Sequence, residues 1–183
     1  MGDKGAKTKE RIRQEAYKLF AEKGFKEVTM TDICEKTGLS RGGLYRHYSG
    51  TEEIFSEILS QEYVIDDRMK EHESASAILE DMLGAIKSEI MDKELSLSLA
   101  IYEYASLGNE DFFIRINASA KRRWNSLINY GIGTKEFKEV DADQVSDMIL
   151  YYYQGLRMWS RVIPFDEQIA EHYVATVRQL LLK

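Results

Sequence analysis

The residues whose types and order could do chemistry concentrate between Thr29 and Thr51. The run Arg41-Gly42-Gly43-Leu44-Tyr45-Arg46-His47-Tyr48 holds two guanidiniums, an imidazole and two phenols within eight residues. On a helix, Leu44 and Tyr48 stand one turn apart and pack inward, which turns Arg41, Tyr45, Arg46 and His47 outward. Arginine is the side chain whose fork of donors matches a guanine edge or a phosphate. Two adjacent glycines cost about 1 kcal/mol each against alanine in a helix interior. At a helix N-terminus they cost less, and they let backbone amides approach a phosphate. That combination points to nucleic-acid recognition. A surface helix with chance charges is the plain alternative.

The sequence offers little for catalysis. The three histidines, His47, His72 and His172, lack metal-ligand spacing, and there is no Gly-rich phosphate loop or Gly-x-Ser-x-Gly elbow. Cys34 is the single cysteine, which rules out an internal disulfide and a cysteine cluster for zinc. Paired carboxylates such as Asp66-Asp67 fall on polar helix ends. No enzyme activity, metal or cofactor is expected.

Short helices must position the basic run. Thr29 opens a Thr-x-x-Asp capping box with Asp32, starting a helix that runs to Thr37. Gly38 ends it, Leu39 supplies the turn hydrophobe, and Ser40 caps the helix beginning at Arg41. Cys34, one turn before Gly38, reads as a small side chain that lets the two helices cross closely. A first amphipathic helix over ~8–23 carries Ile12, Ala16, Leu19 and Phe20 at helical spacing. A fourth, over ~52–68, carries Ile54, Phe55, Ile58, Leu59 and Glu62. Further helices read over ~75–91, ~94–107, ~111–131, ~142–162 and ~166–182. The expected fold is all-α: nine helices, no sheet, and Pro164 as the single proline.

Charge divides the chain. Residues 1–50 carry 11 Lys+Arg against 7 Asp+Glu, a net +4; residues 51–183 carry 14 against 24, a net −10. A basic head on an acidic body suits a nucleic-acid-binding module joined to a non-binding one. The expected division is 1–50 and 51–183. No apolar run approaches the ~18 residues of a membrane span, and the polar start of the chain lacks a secretory signal, so no membrane partner and a cytoplasmic location are expected.

The run from Phe25 through Val28-Thr29-Met30-Thr31-Asp32-Ile33-Cys34 and Gly38-Leu39-Ser40 to Tyr48, followed by Glu52-Glu53-Ile54, resembles the DNA-binding signature of the TetR family. Two weaker matches follow, Gly131 to Phe137 and Gly155-Leu156. The resemblance implies a nine-helix architecture, a three-helix DNA-binding head on a helical-bundle body, and a recognition helix in the major groove. Thr29, Thr31, Ser40, Arg41, Gly42, Gly43, Tyr45, Arg46, His47, Tyr48 and Thr51 then become the expected DNA-binding positions. Two of them depart from the pattern. Gly43 stands where a Thr is usual, and Thr51 where a Lys is common; Arg46 and the Lys4, Lys7 and Lys9 arm could replace the missing charge. A partner-binding helical scaffold whose helix-turn-helix no longer binds DNA is the alternative reading.

For the body, the resemblance implies a homodimer through the last two helices and a small-molecule effector bound within the bundle, releasing a repressor from a near-palindromic operator on double-stranded DNA. Ile149, Tyr152, Tyr153, Leu156 and Trp159, with Ile169, Tyr173, Val177 and Leu180, make apolar faces wide enough for a dimer interface or for core packing. Met82, Tyr102, Glu103, Phe112, Trp124 and Trp159 are the candidate ligand-binding residues, with Phe113 and Tyr104 beside them. They suggest an apolar or aromatic effector. Glu103 either answers a cationic ligand or hydrogen-bonds a neighbouring helix. Lys121-Arg122-Arg123 is read as a solvated face, with an interface ion pair as the alternative.

Overall fold

The computed structural model describes residues 2–60, 65–92, 96–160, 162–164 and 166–183. Among them the chain forms ten helices: α1 (Gly2–Lys23), α2 (Met30–Thr37), α3 (Arg41–Tyr45), α4 (Thr51–Leu59), α5 (Ile65–Lys70), α6 (Ala75–Met91), α7 (Ser98–Ala105), α8 (Glu110–Gly133), α9 (Ala142–Trp159) and α10 (Glu167–Leu181). The fold is all-α, as expected, with one helix more than the nine predicted. The stretch read as a single helix over ~52–68 is two. Ser60 closes α4, its amide and hydroxyl both bonded to the Ser56 carbonyl, and α5 opens at Ile65. The predicted roles of Glu62 and the Lys4 side chain lie outside the described residues.

The chain divides into two compact units. One comprises Met1–Glu62 with Glu94–Glu110, the other Tyr63–Lys93 with Asp111–Lys183. This differs from a division at residue 50, because two later elements share the head's core. Ile54 and Phe55 of α4 are fully buried, and Tyr104 of α7 is nearly so. Phe25 and Phe55 each lie about 5 Å from the Tyr104 ring, at 4.8 and 5.2 Å between centroids, and Phe20 lies 4.8 Å from Phe55. Such tilted and edge-on pairs add about 0.5–1.5 kcal/mol each beyond their buried area. Tyr104 is therefore a core residue of this unit.

The second unit is built around Ile78, Leu79 and Leu83 of α6, Trp124, Leu127 and Ile128 of α8, Ile149 and Leu150 of α9, and Tyr173, Val174 and Val177 of α10. The loop after α8 supplies two ties. Phe137 is buried, and its ring fills the space that a Cβ on Gly131 would need. Glu136 closes the start of α6. Its carboxylate accepts the Ser74 hydroxyl at 2.5 Å, the Ala75 and Ser76 amides at 3.0 Å, and the Thr134 hydroxyl at 2.9 Å. Burial alone would raise the Glu136 pKa, but these four donors outweigh it and hold it at about 2.

A carboxyl held below its unfolded value stabilises the fold above that value, and the contribution fades as pH falls from about 4.5 towards 2. Glu136→Gln is thus expected to destabilise by on the order of 1–2 kcal/mol at pH 7. Thermal melts of both proteins between pH 7 and pH 2.5 should show the gap closing across that window. A gap that stayed constant would mean the contact is steric alone.

α9 is apolar on two sides. Val145, Ile149 and Leu150 enter the unit's own core. Met148, Tyr151, Tyr152, Met158 and Trp159 form a second stripe at helical spacing, each between 40% and 58% exposed. Tyr151, Tyr152, Gly155, Leu156, Trp159 and Ile163 line a shallow hollow of about 410 Å³ on that side.

Candidate nucleic-acid interface

The segment Thr29–Tyr48 folds into the predicted pair of helices, and each end is held by a local device. The Thr29 side chain accepts the Asp32 amide, and the Asp32 carboxylate accepts the Thr29 amide, a reciprocal capping box. Lys23 and the Thr29 hydroxyl and amide hold the Asp32 carboxyl well below its ordinary range. Gly38 ends α2 in the left-handed region at φ 67°, a conformation that costs glycine little. Ser40 caps α3, accepting the Gly43 amide at 3.1 Å. Leu44 is fully buried, and Cys34 is a buried free thiol, in keeping with its reading as a small packing residue.

What this scaffold presents outward is Arg41, Tyr45 and Arg46. All three are exposed, Tyr45 at 53%. Arg41 at the first position of α3 reaches across the turn and donates to the Thr31 hydroxyl at 2.9 Å. Thr31, Gly42 and Ser40 are exposed, and His47, Gly43 and Thr51 are partly so. Thr29 and Ser40 already use their hydroxyls as caps, so their first role is to set the helix starts. Arg46 and His47 lie just beyond α3 in the turn that closes it, because α3 is only five residues long.

One predicted contact is corrected. Tyr48 is 1% exposed, and its hydroxyl donates to the Glu57 carboxylate at 3.2 Å. Burial first, and the Glu57 charge next, push its pKa far up. Tyr48 is a buried strut behind the recognition helix, and its side chain is not offered to the groove.

Glu57, unmarked in the sequence reading, gathers the base of this unit. It accepts Lys9 at 2.6 Å and Arg13 at 2.9 Å as well as Tyr48, tying α1, α4 and the end of the helix-turn-helix together. Its signal in the sequence was a carboxylate inside the apolar stripe Ile54, Phe55, Ile58. Lys9 also stands 4.9 Å over the Tyr48 ring. The expected role of Lys9 in a DNA-binding arm therefore gives way to an internal one.

The six candidate ligand-binding residues fall in different settings. Tyr102 and Glu103 belong to the first unit; Met82, Phe112, Trp124 and Trp159 belong to the second. Trp124 is a core residue at 5% exposure, and Met82 packs against that core. Phe112 meets Phe113 edge-on, and Trp159 lines the hollow on α9. Glu103 accepts the Lys26 amide at 2.9 Å. The Lys26 amide, in the turn after α1, thus answers one oxygen of this carboxylate within the first unit. Lys121 is paired to Asp143 and Asp147 at 2.9 and 2.8 Å, which makes it an ion-pair residue of its own unit and not simply a solvated one.

No helix among the described residues is long and apolar enough to cross a membrane. Residues 12–58, which contain the capped helix pair, match the family described as bacterial regulatory proteins, tetR family. The uncharacterized HTH-type transcriptional regulator YfiR of Bacillus subtilis is 32% identical over 175 residues, covering 87% of this chain and 82% of that protein. The HTH-type transcriptional repressor KstR2 of Mycolicibacterium smegmatis is 24% identical, covering 94% and 89%. A TetR transcription regulator from Haloarcula marismortui has the same fold, with a TM-score of 0.67 at 22% identity over 97% of this chain and all of that one. The matched family segment, the YfiR relative and the fold agree with the geometry of the helix pair, and the chain belongs to the tetR family of bacterial regulatory proteins, as a helix-turn-helix transcriptional regulator.

Proposed function

We propose that this regulator is a homodimeric repressor, acting in the cytoplasm, that binds a near-palindromic operator and leaves it when a small apolar or aromatic effector binds. The observation that carries the reading is the capped helix pair holding Arg41 and Tyr45 outward on one short helix, with Arg46 exposed in the turn that closes it. A helix presented this way enters the major groove with its N-terminal residues at the base edges, and two-fold symmetry in the protein demands it in the site. Thr31, Ser40, Gly42, Gly43, His47 and Thr51 surround those side chains as candidate backbone contacts. Relatives named as repressors support the sign of regulation. The exposed apolar stripe on α9 supports the dimer.

The first experiment is salt-titrated binding to a mixed-sequence duplex. Each phosphate neutralised should contribute about −0.9 to the slope of log K against log salt. A flat salt response would favour the scaffold reading. For the effector, a panel of neutral aromatics, aromatic cations, fatty acyl compounds, acidic metabolites and metal ions should be screened by thermal shift and then by release of DNA. Release by neutral aromatics or acyl compounds is expected, with DNA weakening their binding by the same factor. Release by acids or metals alone would overturn the apolar assignment.

A further inference from the structure

Thr31 and Arg41 are ten residues apart, on different helices, yet the Arg41 Nη2 donates to the Thr31 Oγ1 at 2.9 Å. Both residues start from rigid backbone. Thr31 is the second residue of α2, behind the Thr29–Asp32 capping box; Arg41 is the first residue of α3, behind the Ser40 cap. Both side chains are exposed, and a Cβ placed on the next residue, Gly42, would meet nothing within 4 Å. We infer that Thr31 is a positioning residue for Arg41, and that the pair works as one reading head for a guanine in each half-site. This rests on the DNA-binding reading above.

The chemistry follows from counting donors. A guanidinium has five N–H groups and no acceptor. One points at Thr31, and the remaining edge keeps the parallel donors that match guanine O6 and N7. The Thr31 oxygen is used as an acceptor, so its own O–H remains a donor. Outward, the free guanidinium edge presents donors alone, and a guanine edge in the major groove presents two acceptors side by side. A lone exposed arginine must give up rotamer freedom when it binds. The Thr31 contact removes part of that freedom beforehand, which favours one orientation of the fork over the many that would serve any phosphate.

The test is selection from a pool of duplexes with a randomised centre, using the full-length protein and its variants Arg41→Ala, Thr31→Ala, Thr31→Ser and Thr31→Val. The intact protein should select a symmetric site with guanine at one position of each half. Arg41→Ala should lower the preference for that guanine by about 5- to 150-fold. Thr31→Ala and Thr31→Val should lower it at the same base pair by about 3- to 10-fold. Thr31→Ser, which keeps the acceptor, should restore it. Affinity for mixed-sequence duplex and the thermal midpoint check that each variant is folded. A merely structural role for Thr31 would lower affinity for every sequence alike, without touching the guanine preference. That result would overturn the inference, as would a loss at a base pair other than the one Arg41 reads. Failure of the intact protein to select any sequence would overturn the DNA-binding reading itself, a result distinct from the other two.

Discussion

Replacing Phe137 by alanine will lower the stability of the second unit by about 3–5 kcal/mol, the range for a buried phenylalanine whose cavity cannot fully collapse. The ring is 1% exposed and sits against the last turn of α8. Its backbone reinforces the placement: the Glu136 and Phe137 amides both bond to the Gly131 carbonyl, and the next amide, of Lys138, reaches the Leu181 carbonyl at the end of α10. Gly131→Ala attacks the same contact from the other side, because its Cβ would enter the space the ring occupies. Overpacking of that kind costs about 1–3 kcal/mol. The two changes should not add. With the ring gone, a methyl at position 131 enters vacated space, so the double variant should be no less stable than Phe137→Ala alone. Urea unfolding of the four proteins measures this, and strict additivity would show that ring and glycine do not share that space.

The helix-turn-helix was legible in the sequence because every device that builds it is local. Thr29, Asp32, Gly38 and Ser40 act on backbone groups within three residues of themselves, so their types and spacing suffice to place α2 and α3. The same holds for Leu44, whose inward face follows from helical periodicity. Tyr48 shows where this stops. Its spacing from Leu44 gave the burial correctly, but its hydroxyl partner Glu57 is nine residues on and belongs to another helix. The extent of the head was also hidden. Nothing in the composition of 96–105 says that Tyr104 completes an aromatic cluster begun by Phe20 and Phe25, about eighty residues earlier.

The candidate ligand residues were the least legible, for a related reason. Aromatic and Met side chains at helical spacing serve a core and a pocket equally well, and only the partners decide. Trp124 found core partners, and Glu103 found the Lys26 amide. Trp159 found none of the core and is 54% exposed.

That exposure motivates the second large effect. Trp159→Glu should convert a dimer into monomers and lower operator affinity by about 100- to 10,000-fold. Trp159 stands in a stripe with Met148, Tyr151, Tyr152 and Met158, a run of large apolar side chains that a lone chain leaves in water. Four such helices, two from each copy, would bury the stripe around a two-fold axis, where each residue meets its own counterpart or a near neighbour. A glutamate there would place two like charges in a drying interface, and an uncompensated buried charge costs about 3–5 kcal/mol. The loss on DNA follows from geometry, with no change at the recognition helix. Two linked heads gain about 100- to 10,000-fold over either alone through their effective concentration, and monomers forfeit that gain. Sedimentation and binding to a symmetric site should therefore change together, while binding to a single half-site stays at the level of one isolated head. A Trp159→Glu protein that remained dimeric and bound the full site normally would place the dimer contact elsewhere on the chain.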